Sequence, residues 1–174
     1  MEQIKIFSKL GLNDYIRLNF QISFTKVMYI IMSILGVLLV LIAGGLLMHD
    51  LIYPNHTGDH SSACFVFIYG LALVVYLPAA IYFRSRKIFS TNQRIQEEMM
   101  YEFSETGIKI TGISFNSQYD WSKIFKIKRV NNILLLFQDK LVANIINLDT
   151  VNATDYNRLK ELILSKKLNI KIKL

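Results

Sequence analysis

Residues 119–132 read YDWSKIFKIKRVNN and gather Lys123, Lys126, Lys128 and Arg129 beside Trp121, the single tryptophan of the chain. Cations at this density suit an acidic partner or an anionic lipid surface. In an alternating strand, Lys126 and Lys128 share one face while Phe125 and Ile127 share the other, with Trp121 and Ile124 anchoring the core. A second basic group, Arg84, Arg86 and Lys87, follows an apolar run directly. Cations there fix topology and meet headgroups at about 1 kcal/mol each. His49, His56 and His60 form a third group, with Asp50 and Asp59 nearby. Imidazole and carboxylate suit zinc, or a proton response below neutrality. Their spacings match no familiar zinc finger, so they are weak metal candidates. Catalytic chemistry finds no foothold. There is no Gly-rich phosphate loop, HExxH or CxxC motif. Cys64 has no adjacent base and cannot form an internal disulfide, being the single cysteine. The side chains of Glu97 and Glu98 diverge in either a strand or a helix. The residues predict a protein that is not an enzyme and needs no cofactor.

The elements that position these groups begin with two runs free of charge, residues 27–48 and 63–83. As helices each spans roughly 30 Å, the thickness of a bilayer core. Hydrophobic residues make up 52% of the 174 and charged ones 19%, too apolar for an average soluble domain. Neither run reads as a cleaved signal peptide, since the first follows a charged lead and ends in LLMHD. Lys5, Lys9, Arg17 and Lys26 precede the first run, Arg84, Arg86, Lys87 and Arg94 follow the second, and the connector 49–62 has no Lys or Arg. Basic flanks stay inside, which predicts both termini in the cytoplasm and the connector outside. Ser33, Gly36, Ala43 and Gly44 fall on one face of the first run and allow close helix packing. Pro78 should kink the second run. Of the net charge of +7, residues 84–94 carry +4 and residues 95–174 only +3, which is no nucleic-acid footprint.

Beyond the runs the texture changes. Residues 3–7 alternate as a short strand, and Leu12, Tyr15, Ile16 and Phe20 fall at helical spacing, capped by Asn13 or Asp14. Residues 98–103, 108–113, 116–121, 124–130, 133–137 and 141–147 read as strands, with turns at 104–107, 131–132 and 138–140. Residues 153–167 read as a helix with Thr154 as N-cap and Tyr156, Leu159, Ile163 and Leu164 on its apolar face. Strands followed by one helix predict an α+β domain, a small antiparallel sheet closed by a C-terminal helix, behind a membrane α-helical hairpin. Its small core gains from recruiting the strand at residues 3–7. The expected organisation is an amphipathic lead at 1–26, spans at 27–48 and 63–83 around an extracytoplasmic loop at 49–62, a basic linker at 84–96, and a cytoplasmic domain at 97–174.

Two spans, then Tyr101-x-Phe103 with Gly107-Ile108, Trp121-x-x-Ile124, Ala143 and a closing helix: this pattern resembles the bacterial YcxB-like family. The resemblance implies a pleckstrin-homology-like cytoplasmic domain on an inner-membrane anchor, with Tyr101, Phe103, Gly107 and Trp121 as structural anchors. It implies no established chemistry. A pleckstrin-like domain that holds inositol phosphates needs a basic loop between its first two strands, and residues 104–107 (SETG) are acidic instead. The leading expectation is a membrane-anchored module that binds protein or lipid through Lys123, Lys126, Lys128, Arg84, Arg86 and Lys87. The alternative is an immunity protein against a secreted, membrane-acting toxin, a role held by some similar small membrane proteins. A transporter or channel subunit is disfavoured, because neither run holds an ionisable residue. Membrane lipids, a protein partner (a toxin or a membrane protein) and a possible homo-oligomer are the expected associations, without nucleic acid.

Overall fold

The computed structural model describes residues 3–53, 61–140, 142–166 and 171–173. The chain divides into two units, Met1–Leu18 with Ile88–Leu174, and Asn19–Lys87.

The second unit is helical. The lead helix α1 (Leu12–Phe24) stops at Thr25, whose hydroxyl bonds the Ile22 carbonyl at 2.8 Å. Lys26 is extended, and α2 (Val27–Ile52) begins after it. The lead helix therefore does not run on into the first apolar helix. The second, α3 (Ser61–Thr91), contains Pro78 and extends eight residues past the apolar run. At 1.5 Å per residue these helices measure roughly 39 and 46 Å, more than a bilayer core requires. Both are long and apolar enough to cross a membrane. The segment expected as a basic linker, 84–96, is helical over most of its length. Residues 84–91 continue α3, because the segment lacks any Gly or Pro that would stop it, and α4 (Gln93–Gln96) adds one further turn. Small residues let α2 and α3 touch. A Cβ at Gly70 would lie 3.0 Å from the Gly36 carbonyl oxygen and 2.9 Å from Leu39 Cβ. Gly36 and Ala43 are buried on α2, as the small-residue stripe implies.

The first unit is two antiparallel sheets closed by a helix. β1 (Ile4–Ser8), β2 (Met99–Phe103), β3 (Gly107–Thr111) and β4 (Asn116–Asp120) form the first sheet in that order. β5 (Lys126–Val130), β6 (Ile133–Phe137) and β7 (Ala143–Asn147) form the second, and β8 (Lys171–Lys173) adds to β5 in parallel. The closing helix α5 (Ala153–Ser165) is capped by Asn152, whose side chain accepts from the Thr154 amide at 3.1 Å. The expected cap is thus two residues late, since Thr154 already supplies a helical N–H. Leu159, Leu162 and Ile163 point inward and Leu164 is 54% exposed, which rotates the predicted apolar face by about one position.

The core joins Ile4, Ile6, Tyr101, Phe103, Ile108, Ile110, Trp121, Ile127, Leu134, Leu136, Ile146 and Leu159. β1 alternates buried Ile4, Ile6 and Ser8 with exposed Lys5 and Phe7, so its apolar face completes that core. It pairs along its whole length with β2, from Ile4↔Phe103 to Ser8↔Met99. Residues 104–107 join β2 to β3, the first two strands of the domain that follows the apolar helices, and residues 9–98 join β1 to β2. In sequence, both apolar helices thus fall between two paired strands of one sheet.

Candidate functional site

The basic stretch divides three ways. Lys123 closes a single 3-10 turn, Trp121–Lys123, and is exposed. Trp121 Nε1 donates to the Ser104 carbonyl at 2.9 Å and its ring stacks 6.3 Å from Phe103, so the turn hangs on the core. Phe125 departs from its expected inward face. Its amide bonds the Phe137 carbonyl at 2.8 Å, but the side chain is 50% exposed, because the strand proper starts only at Lys126. Ile127 faces the core with no exposure, while Lys126 and Lys128 lie on the opposite face and are half-buried. The Lys126 ammonium stands 5.6 Å from the Phe137 ring. Arg129 is occupied locally, bonding the Asn131 carbonyl at 2.7 Å and the Tyr156 hydroxyl at 2.8 Å.

That opposite face is not simply wet. Register places Lys126 beside Phe137 and Lys128 beside Leu135, which is 2% exposed despite pointing away from the main core. At the β7 end of the same face, the Asn147 side chain donates to the Lys9 carbonyl and the Asp14 carboxylate, at 3.4 and 3.3 Å. The Asn147 amide donates to the Ser8 hydroxyl at 2.7 Å. The first turn of α1 thus docks there. Asp14 also accepts from the Gly11 amide, securing that turn from within.

β8 brings a second row of lysines. Its pairing with β5 sets Lys126↔Lys171, Ile127↔Ile172 and Lys128↔Lys173 in register. The same KIK tripeptide thus lies alongside itself, a repeat visible in the sequence once residues 126–128 and 171–173 are compared. Among the described residues, none of Lys123, Lys126 and Lys128 has a carboxylate partner.

The first sheet treats its lysines differently. Glu102 takes Lys5 at 3.2 Å and Lys109 at 3.4 Å, across the registers Lys5↔Glu102↔Lys109. The Lys5 hydrogen bond, then Lys109, hold the Glu102 carboxyl below its usual value. Glu97 is lowered as well, by hydrogen bonds from Ser114, whose amide donates at 3.0 Å. Tyr101 is buried with its hydroxyl on the Ile145 carbonyl at 3.0 Å, and burial pushes its phenol up. This bond ties the two sheets together.

Arg84, Arg86 and Lys87 are exposed on α3, in the other unit. Arg84 and Lys87 share a helical face and Arg86 does not. His49 ends up on α2, 3.6 Å from Asp50 and ring to ring with Tyr53 at 5.0 Å. His56 and His60 lie outside the described residues, and among those described no group of three metal-ligating side chains forms. Gly107 earns its place by close approach, since a Cβ there would collide with the Tyr119 carbonyl. Sequence reasoning missed the Glu102 clamp, the Asn147 anchor and Arg94, whose guanidinium sits 3.4 Å over the Phe115 ring. The Lys5 and Lys109 contacts depend on register, which no local pattern announces.

No curated protein and no solved structure matches the chain. Residues 103–163, from the last residue of β2 into α5, match the model of the YcxB-like protein family.

Proposed function

We propose that the chain is a non-enzymatic membrane-anchored module whose pleckstrin-like domain binds a protein or lipid partner at the cytoplasmic face of a bacterial inner membrane. One observation carries the reading: β1, before the apolar helices, pairs with β2, after them. Two strands of one sheet must lie on one side of a bilayer, so the segment between them must cross an even number of times. Two apolar helices of sufficient length meet that condition. The basic residues flanking them, against a connector without Lys or Arg, favour the cytoplasm for that side. The four-strand and three-strand antiparallel sheets with a closing helix support the pleckstrin-like reading.

Reporter fusions in a bacterial host test the anchor. A cytoplasm-active reporter should work at both termini, and an export-dependent reporter should work only within residues 54–60. Activity of the export reporter at either terminus would end this reading. Photo-crosslinking from position 125 in the full chain then tests binding. A discrete adduct supports a module, and a secreted toxin as that adduct would make the module an immunity protein. Loss of crosslinking to both protein and lipid would leave an anchor without a binding role.

A further inference from the structure

We propose that the β5–β8 side of the second sheet docks on the headgroups of an anionic phospholipid bilayer, which completes the charge balance that the domain leaves open. The inference rests on the membrane-anchored reading and names the partner of its site.

Three observations point this way. First, β5 and β8 repeat charge across register, Lys126↔Lys171 and Lys128↔Lys173. Like charges in neighbouring positions of a sheet oppose pairing, so an anion bound across them would strengthen the ladder. Lysines on an edge strand commonly guard it against pairing with other chains. That accounts for Lys171 and Lys173 but not for Lys126 and Lys128, whose strand is already covered by β8. Second, the domain neutralises its other sheet lysines. Lys5 and Lys109 share Glu102, while Lys123, Lys126 and Lys128 have no carboxylate partner among the described residues. Third, the surroundings suit a lipid surface. Phe125, which directly precedes Lys126 in the chain, is half exposed. An exposed aromatic ring close to cations favours the boundary between headgroup and acyl chain. Lys126 and Lys128 are half-buried, a setting in which lysine stems can cover apolar surface while the ammonium group stays in water. The same face receives Asp14 on α1, the helix that leads to the first apolar segment. A soluble acidic protein would supply the charge but gives no reason for the exposed ring.

The test uses the full chain in lipid nanodiscs, either of phosphatidylcholine alone or of equal parts phosphatidylcholine and phosphatidylglycerol. Lysines are acylated briefly and located by mass spectrometry. Lys126, Lys128, Lys171 and Lys173 should react roughly fivefold more slowly in the anionic discs, the rate factor matching a contact of about 1 kcal/mol per lysine. Added salt should remove the difference. Lys5 and Lys109 serve as internal controls and should react equally in both. Equal reactivity of the four lysines in both discs would overturn the proposal. So would slowing in neutral discs by soluble glycerophosphate or by an acidic protein alone. In a K126Q/K128Q variant, protection of Lys171 and Lys173 should fall from roughly fivefold to near none, because the shared anion loses two of its contacts. Unchanged protection in a folded variant would also overturn it. The reporter fusions separate the two claims, because a correct topology with no lipid protection sinks only this one.

Discussion

The two sheets of the domain solve the same problem in opposite ways. In the first, register alternates charge sign from Lys5 through Glu102 to Lys109. In the second, register repeats it, Lys126 beside Lys171 and Lys128 beside Lys173. Both carry an added strand from far away in the chain, β1 from before the apolar helices and β8 from after the closing helix. The first addition is held by an apolar face, a carboxylate clamp and hydrogen bonds donated by Asn147 and Thr150 to Ser8 and Phe7. The second is a three-residue parallel ladder whose register pairs lysine with lysine. The difference teaches that strand addition alone says little about strength. What faces across the register decides it.

The strongest way to break the comparison is in the core. Ile6 on β1 and Leu134 on β6 are both buried, and replacing either with Ala should cost about 2–5 kcal/mol. Denaturant unfolding of the full chain in detergent checks this. Similar losses at both sites would establish β1 as a full member of the core, and a loss at Leu134 alone would demote it. Gly107→Ala comes next. A Cβ there meets backbone rather than a yielding side chain, so about 1–3 kcal/mol should be lost in the same assay.

Glu102→Lys gives the first sheet the charge pattern of the second, with three lysines in a row. β1 should loosen, measured as faster hydrogen exchange at residues 4–8, while exchange in β6 stays unchanged. Acid should act in the same direction. The Glu102 carboxyl is held low in the fold, so its contribution is complete above the unfolded value, near pH 4.3. It is lost as pH falls through the lower folded value. Protection of β1, taken relative to the intrinsic exchange rate at each pH, should therefore fall on acidification below about pH 4, and Glu102→Gln should flatten that response. Lys128→Glu makes the smallest change and has the opposite sign. It gives β5 and β8 opposite charges at Lys128↔Lys173 and should tighten that pairing by up to about 1 kcal/mol, read as slower exchange at residues 171–173.

Much of this architecture was readable before any coordinates. Uncharged runs fixed the two long helices, alternation located the strands, and residues 3–7 presented a strand that needed a partner. Trp121 and Ile124 were expected to anchor the core and both are buried, although Trp121 opens a 3-10 turn rather than ending a strand. The misreadings have a common cause. Phe125, Leu164 and Thr154 each sit within two residues of an element boundary, where one residue changes the face or the cap. The candidate site was legible as composition only. Lys126 and Lys128 were visible, but their half-burial, their neighbours across β8 and the balancing role of Glu102 depend on register between distant segments. The strand expected at residues 3–7 joins the sheet as its edge, and only its register against β2 was not legible from local pattern.

That early strand also has a consequence in time. During synthesis, β1 leaves the ribosome first and its partner β2 only after residues 9–98 have followed. At about 5–20 residues per second, Ile4 and Ile6 wait roughly 5–20 s before a sheet can receive them. On the membrane-anchored reading proposed above, both apolar helices enter the bilayer in that interval. A chain whose second helix failed to insert would then hold β1 across the membrane from β2, leaving the first sheet with a bare edge and an open core. Pairing of β1 with β2 would thus report correct threading, because only a completed hairpin returns the two strands to each other.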